Sequence, residues 1–529
     1  MRFTDMSLRD ANNLAAETIL RADLCIVGAG AAGITIARAL RGSGLTVLLL
    51  ESGGLEPDPD VQGLYQGTVA GVDGLSLMES RVRAFGGTTR VWSGWCRPLE
   101  AEDFEERDWI PRSGWPPSLQ AHDLEPYYET AHETTEIRAP TYDEVELADS
   151  VGAELLSFYP TRVRTFIFQF SPPTRFGERY RQDLATARDL EAYIHANLIE
   201  ILLSDQGDAV TRFKFATLSG RRFSVSASCY VMAMGSIENA RILLASNHQV
   251  ESGVGNRHDR VGRTFMEHPH FIGGGYAVLS AEPHDLYLSR ARAPIVADGI
   301  PSGEAATVGA VLGLPRVVRS RERLIGVTVA LRRGKPEELF EGYGDQFSTP
   351  SPSDVAALVA EGASTFCRID VRSEQRPLLE SRVTLTDVRD AIGIPRAQLD
   401  WRIAESDFAD VLHTLRLIAA ELGRTGIGRV WIPVTEHGRY SPQAISGGCH
   451  HMGTTRMSEA PGDGVVDADC RVHGIDNLYV AGSSVFPTGG FANPTLTIVA
   501  LSHRLAEHLR TVTPKYAASL SSPIQKPRR

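Results

Sequence analysis

Residues 22–54 constrain the chain more than any other stretch, because they spell strand, helix and strand with almost no slack. ADLCIVGAG (22–30) is an apolar run ending in glycine. AAGITIARALRGSG continues with apolar residues at helical spacing, and TVLLLESGG supplies a second apolar run that closes on Glu51. Gly28, Gly30 and Gly33 give the pattern GxGxxG between the first strand and the helix, with an acid about 20 residues further on. The spacing has a physical reading: a tight turn at Gly28, close approach of backbone to a pyrophosphate at Gly30, and helix-on-strand packing at Gly33. The helix N-terminus beginning at Ala31 then faces the phosphates. Glu51 would accept hydrogen bonds from an unphosphorylated ribose. That disfavours NADP but leaves NAD and FAD open.

Composition bounds what the rest can be. At 529 residues and 42% hydrophobic, the chain buries a large core and is expected to build two domains. A net charge of −11 speaks against a nucleic-acid or anionic-membrane surface, since both need basic patches. No apolar run reaches the roughly 18 residues of a membrane span. The polar start, MRFTDMSLRDANNLAAETIL, lacks the unbroken apolar stretch of a signal peptide and is expected to lie on the first domain as a short helix. Six cysteines (25, 96, 229, 367, 449 and 470) are scattered with no CxxC. This predicts a reduced, cytoplasmic protein without a disulfide framework or a metal site.

Further along, RVRAFGGTTRVWSGWCRP (81–98) is rich in glycine and hydroxyls, the makings of a loop lying along a flat cofactor. Residues 197–245 read as a strand, a small β-meander, a buried strand ending at Gly235, and a helix, with backbone near Leu198 expected to face an adenine. Residues 271–440 contain irregular strands and one amphipathic helix, ADVLHTLRLIAAELGRTG, read as a separate domain of a sheet backed by helices. NLYVAG (477–482) is one more buried strand. A long apolar helix starts near Pro494, with Asn493 at the cap position. Its free N–H groups suit an anion. In CHHMGTTRM (449–457) either histidine, or neither, could do chemistry on this evidence alone.

Taken together, GGTTRVWSGWCRPL, SGWP followed by PYY, FMEHPHF, HHMGTTRM and NLYVAGSSVFPTGGFANPTLT resemble the glucose-methanol-choline (GMC) family of FAD-dependent oxidoreductases, over nearly the whole chain. The resemblance is closest to the branch with pyranose oxidases and bacterial sugar dehydrogenases. It implies an α/β fold (α+β overall): a Rossmann-like FAD-binding domain at 20–135, 186–268 and 441–515. A substrate domain on a mixed or antiparallel sheet, backed by helices, would take 136–185 and 269–440, with a flexible tail at 516–529. It places the catalytic histidine three residues before Gly453, at His450, and the second catalytic group, before a proline, at Asn493. In an extended segment neighbouring side chains alternate, so His451 is expected to face away from the flavin.

By the same resemblance, FAD contacts are expected at Gly28, Gly30, Ala31, Gly33, Glu51, Gly87, Thr88, Trp92, Ser93, Gly94, Leu198, Ala233, Gly235, Gly482, Ser483, Pro494 and Thr495. Relatives carry a histidine just before the loop tryptophan, and some attach FAD through it. Here Val91 precedes Trp92. Valine cannot form that bond, so FAD is expected to be held non-covalently. The implied activity is oxidation of an alcohol, a secondary hydroxyl of a sugar or glycoside, with hydride passing to flavin N5 and oxygen or a quinone as electron acceptor. Two other readings stand beside it: the large subunit of a sugar-acid or polyol dehydrogenase passing electrons to a partner, and a non-catalytic flavin-binding protein. A homo-oligomer is compatible with either enzyme. Glu267 and His268, in MEHPH, read either as active-site residues or as a hinge into the substrate domain.

Overall fold

The computed structural model describes residues 8–139, 141–158, 162–297, 300–335 and 365–521. Its first elements are β1 (Leu8–Asp10), β2 (Thr18–Val27), α1 (Ala31–Ala39), β3 (Val47–Leu50), β4 (Thr68–Gly71), β5 (Trp95–Cys96) and α2 (Ala121–Thr135). There follow β6 (Arg164–Phe170), β7 (Leu190–Ile194), β8 (Asn197–Leu203), β9 (Val210–Ala216), β10 (Arg222–Met232) and α3 (Ser236–Ala245). Next come β11 (Pro269–Leu279), β12 (Ala291–Ala297), β13 (Ile300–Gly313), β14 (Val327–Arg333) and β15 (Thr365–Ser373). The chain closes with β16 (Arg382–Arg389), β17 (Pro395–Trp401), α4 (Glu405–Arg424), β18 (Gly428–Trp431), β19 (Ala444–Gly447), β20 (Leu478–Val480) and α5 (Thr495–Ser521).

The first sheet runs β1-β7-β3-β2-β10-β9-β8, with β20 also on β10. Its centre is parallel, and Leu24–Val27 and Val47–Leu50 are buried throughout, as a sheet covered on both faces requires. α1 and α5 cover one face of it. Gly33 sets how closely α1 can lie: a Cβ there would fall 1.8 Å from the Gly28 carbonyl oxygen.

The second sheet runs β18-β11-β15-β14-β13-β6-β5, with β12 on β13 and β19 on β11, and its pairings are antiparallel. α4 packs on it through Val411, Leu415, Ile418 and Leu422, an i, i+4, i+7, i+11 stripe. The opposite face carries Phe166, Phe168, Val311 and Ala330, which pack with Phe491.

Four features differ from the sequence expectation. The N-terminal lead-in contains no helix over Leu8–Asp10. That segment pairs in parallel with β7 and extends the first sheet, because an open strand edge offers it backbone partners. The hairpin β16–β17, assigned to the substrate domain, joins β4 in a small third sheet, and its buried Val383, Leu399 and Trp401 belong to the first core. β5 and β19, assigned to the FAD domain, are instead strands of the second sheet. Finally, α5 continues to Ser521, beyond the boundary expected at 515, while residues 522–529 of the expected tail lie outside the described residues.

Candidate active site

A cavity of about 400 Å³ opens where the two sheets meet, within the usual size of small-molecule sites. Gly28, Gly30, Ala31, Glu51, Gly87, Thr88, Trp92, Ser93, Gly94, Leu198, Ala233, Gly235, Gly482, Ser483, Asn493, Pro494, Thr495 and His450 all line it. Among the expected cofactor contacts and the His450–Asn493 pair, only Gly33 lies off the wall, packed behind it against Gly28; Glu267 and His268 also stand behind the wall.

The glycine loop is held from beneath. Gly28 has φ +104° and donates its N–H to the Leu50 carbonyl at 2.7 Å. Glu51, 6% exposed, accepts the Ala29 N–H at 2.8 Å on one oxygen and the Gly53 N–H at 2.9 Å on the other. A Cβ at Gly30, Gly235 or Gly482 would meet no protein atom within 4 Å, so three backbone segments present bare edges to the cavity. Gly87 approaches Gly30 so closely that a Cβ on it would stand 3.0 Å from the Gly30 Cα. This cradle, with an acid at the end of β3 and the N-termini of α1, α3 and α5 on its wall, fits a dinucleotide.

At the far end stand His450 and Asn493. Asn493 Nδ2 lies 3.1 Å from His450 Nε2. The other ring nitrogen, Nδ1, lies 2.9 Å from His268 Nδ1, and His270 stands edge-on with ring centres 6.2 Å apart. Glu267, fully buried, holds the main chain beneath them, accepting the backbone N–H groups of Gly448 at 3.0 Å and of His450 at 2.9 Å. It also accepts the His268 N–H at 3.0 Å. Burial pushes the Glu267 carboxyl up to about 8 against those three donors. Burial likewise lowers His450 well below 6.5, helped by repulsion from His268, His270 and Arg372, so its ring is neutral at neutral pH.

The two adjacent rings diverge. His451 lies against Phe265, with its Nε2 3.4 Å from Glu267 Oε1. It nevertheless borders the same cavity, so it does not turn fully away as strict alternation predicts. Cys449, with φ +58°, breaks the extended backbone that alternation assumes.

Three groups escaped the sequence reading. For His268 the sequence does not separate hinge from site; its ring touches His450. Arg81 and Arg83, inside a loop read only for its glycines and hydroxyls, bond Glu238 at 3.1 and 3.3 Å on the cavity wall, over the Tyr65 ring. Burial alone would raise Glu238, but Arg241, Arg83 and Arg81 bring it down to about 2. The signal available was an acid in the first turn of the helix after Gly235, where a helix dipole favours one. Among the described residues, no group of three or more His, Cys, Asp or Glu is placed to hold a metal ion, and no helix is long and apolar enough to cross a membrane.

A dinucleotide cradle on a parallel sheet, closed by a second sheet that brings histidines to its end, defines a dinucleotide-dependent oxidoreductase. The GMC oxidoreductase family model matches residues 377–502. The large subunit of fructose dehydrogenase from Gluconobacter japonicus is 25% identical over 92% of this chain and 97% of its own. A C-glycoside 3-oxidase from Arthrobacter globiformis is 32% identical over 149 residues, 28% of this chain and 26% of its own. The fold is similar to that of pyridoxine 4-oxidase from Mesorbium loti, with a TM-score of 0.57 at 18% identity, covering 92% of this chain and 98% of that one. Residues 377–502 thus carry the C-terminal domain of the GMC oxidoreductases, and the chain is similar along most of its length to oxidases and dehydrogenases.

Proposed function

We propose that this chain oxidises a secondary hydroxyl of a sugar or glycoside to a carbonyl, with non-covalently held FAD as first electron acceptor and His450 as base. Bound FAD would supply the hydride acceptor. The observation that carries the reading is the His450–Asn493 pair, 3.1 Å apart, at the end of the cavity that the dinucleotide cradle opens into. A hydroxyl brought to these side chains would receive a hydrogen bond from Asn493 Nδ2 on its oxygen and give its proton to His450 Nε2. A neutral ring is the competent form, and burial keeps it neutral.

Glu267 fixes the backbone of Gly448 and His450, so the imidazole is carried on a clamped segment. Ser483 Oγ, donating to the His451 carbonyl at 2.6 Å, clamps the same segment from the other side. The first turn of α5, at Thr495, presents unpaired backbone N–H groups to the cavity, where they would stabilise negative charge. Val91, the residue before Trp92, has no group that could bond the cofactor, which supports non-covalent binding.

A second reading is supported by the 25% identity to a dehydrogenase large subunit along almost the whole chain. In it the same chemistry delivers electrons to a partner protein. One experiment serves both. The purified protein is mixed anaerobically with sugars, glycosides and aliphatic alcohols while the flavin's visible absorbance is followed, and substrates that bleach it are then tested with oxygen and with quinones. Absence of bleaching by any alcohol would refute the enzymatic reading. Rapid reoxidation by quinones but not oxygen would favour the dehydrogenase.

A further inference from the structure

The hydrogen-bond chain behind His450 has one consistent arrangement of protons. The imidazole of His268 lies 2.9 Å from the Gly490 carbonyl oxygen through Nε2, and 2.9 Å from His450 Nδ1 through its own Nδ1. A carbonyl oxygen only accepts, so His268 Nε2 must carry a hydrogen. His268 is 2% exposed, and burial lowers its pKa to about 4, so at neutral pH the ring holds one proton. Its Nδ1 is therefore bare. The single hydrogen between the two Nδ1 atoms then belongs to His450, and His450 Nε2, facing Asn493 Nδ2, is left with its lone pair.

We propose that His268 is a positioning residue that fixes His450 in the Nδ1–H tautomer and thereby makes Nε2 the proton acceptor. The proposal rests on the reading of His450 as base. In water imidazole side chains favour the opposite tautomer, so the acceptor at Nε2 has to be selected by the protein.

The anchor of the chain is rigid. Gly490 has φ +56°, and a Cβ there would fall 2.3 Å from an oxygen of buried Asp103, so the loop packs backbone-tight on that carboxyl. Thr488 Oγ1 donates to the Asp103 carbonyl at 2.9 Å, and Phe491 packs edge-on against Phe166 with ring centres 5.0 Å apart. The Gly490 carbonyl thus has a fixed direction, and it dictates the protonation of two rings in series. His268 Nδ1 also stays bonded after His450 takes up a proton, because the imidazolium keeps its Nδ1–H. Among the described residues the His450 ring nitrogens are hydrogen-bonded to His268 and Asn493 and to no carboxylate, so this neutral relay orients the ring without a charged partner.

The test uses the full-length holoenzyme labelled with ring-15N histidine, with His450 assigned by the signal lost in His450→Gln. In the wild type, His450 should show a protonated Nδ1 and a bare Nε2. His268→Phe keeps ring shape but removes the acceptor. It should shift His450 toward the Nε2–H tautomer and slow flavin reduction by roughly 10- to 1,000-fold, with KM for the alcohol nearly unchanged. His268→Asn, whose side-chain carbonyl can still accept from His450 Nδ1, should restore both the tautomer and most of the rate. A wild-type His450 protonated on Nε2 would overturn the proposal whether or not the variants fold. So would a His268→Phe enzyme that keeps the Nδ1–H tautomer. If instead His450→Ala reduced its flavin normally, the base reading would fail while the tautomer assignment stood.

Discussion

Glu51→Gln replaces one oxygen with an NH2 group and changes almost nothing else, which makes it a sharp probe of the dinucleotide cradle. In the wild type each carboxylate oxygen accepts a backbone N–H, Ala29 at 2.8 Å and Gly53 at 2.9 Å, and Ser52 Oγ lies 3.1 Å from the second oxygen. Burial raises the pKa of Glu51, opposed by the Gly53 and Ala29 N–H groups. The two backbone N–H groups can only donate, and Ser52 Oγ donates to the same carboxylate, so the ionised form fits the site. Glutamine can satisfy only one of the two N–H groups, and its NH2 confronts the other donor to donor. One charge-assisted bond is lost and one buried N–H is orphaned, together about 2–4 kcal/mol. The loss falls on the loop Gly28–Gly30, so it should appear as local opening rather than global unfolding. Hydrogen exchange of the Ala29 or Gly53 amide should accelerate by roughly 30- to 700-fold, at 1.4 kcal/mol per factor of ten, and FAD should bind at least about ten-fold more weakly. Unchanged exchange at both amides, with wild-type FAD affinity, would refute the view that this carboxylate staples the loop.

His450→Ala should leave FAD bound and slow anaerobic flavin reduction by roughly two to four powers of ten; Asn493→Ala should fall between it and His451→Ala, and a severe His451→Ala with a normal His450→Ala would show that the wrong histidine was chosen. Because burial holds His450 neutral well below pH 6.5, the reduction rate should be flat across neutral pH and fall only on further acidification; a base-limited midpoint above 6.5 would contradict this. Burial also lowers His268 to about 4 and His270 and His451 to about 3, so the unfolded chain binds protons from pH 6.5 downward that the folded chain refuses. Their contribution is complete above 6.5 and lost as pH falls toward 4 and 3, up to about 3 kcal/mol for His268. Glu267, raised to about 8, works the opposite way, stabilising below 4.5 and losing that effect as pH rises toward 8, but one carboxyl is outweighed by three histidines. Melting temperature should therefore drop between pH 6.5 and 4, and a flat or rising profile would count against the buried cluster. Acid precipitation should release all the flavin into the supernatant; colour left on the pellet would establish a covalent link.

The parts of the fold legible in the sequence are those whose signal is local. The β2–α1–β3 unit carries its glycines and acid within one short stretch, and α5 announces itself by Asn-Pro followed by an apolar helical run. The histidine register came from the motif around Gly453, again local. What escaped is long-range. β1 adds to an open edge with three residues that carry no strand pattern of their own. The β16–β17 hairpin alternates like any half-buried strand pair, and nothing in its sequence says that its apolar side faces α3 rather than α4. His268 and His450 are 182 positions apart and meet where Met266 and Met452 pair as an antiparallel bridge and β11 pairs with β19. The histidine-rich composition of both segments was visible, but composition does not give adjacency.

That bridge also places His450, the proposed base, where two structural units meet. His450 lies in neither sheet. Its segment is tied to Met266 and Glu267 at the entry to β11, and to Ser483, Ser484 and Val485 after β20 through the backbone bonds of Gly453, Thr455 and Met457. The first set of ties fixes the ring relative to the second sheet, and the second fixes it relative to the dinucleotide cradle. A base anchored to only one unit would move against the other whenever the units shifted, and misplacement by about 1 Å can cost two orders of magnitude in rate. Anchoring to both makes the distance from cradle to base a property of the clamped loop. Beside the Glu267 carboxylate and Ser483 Oγ, the ties that set it are backbone hydrogen bonds, which survive most side-chain changes nearby.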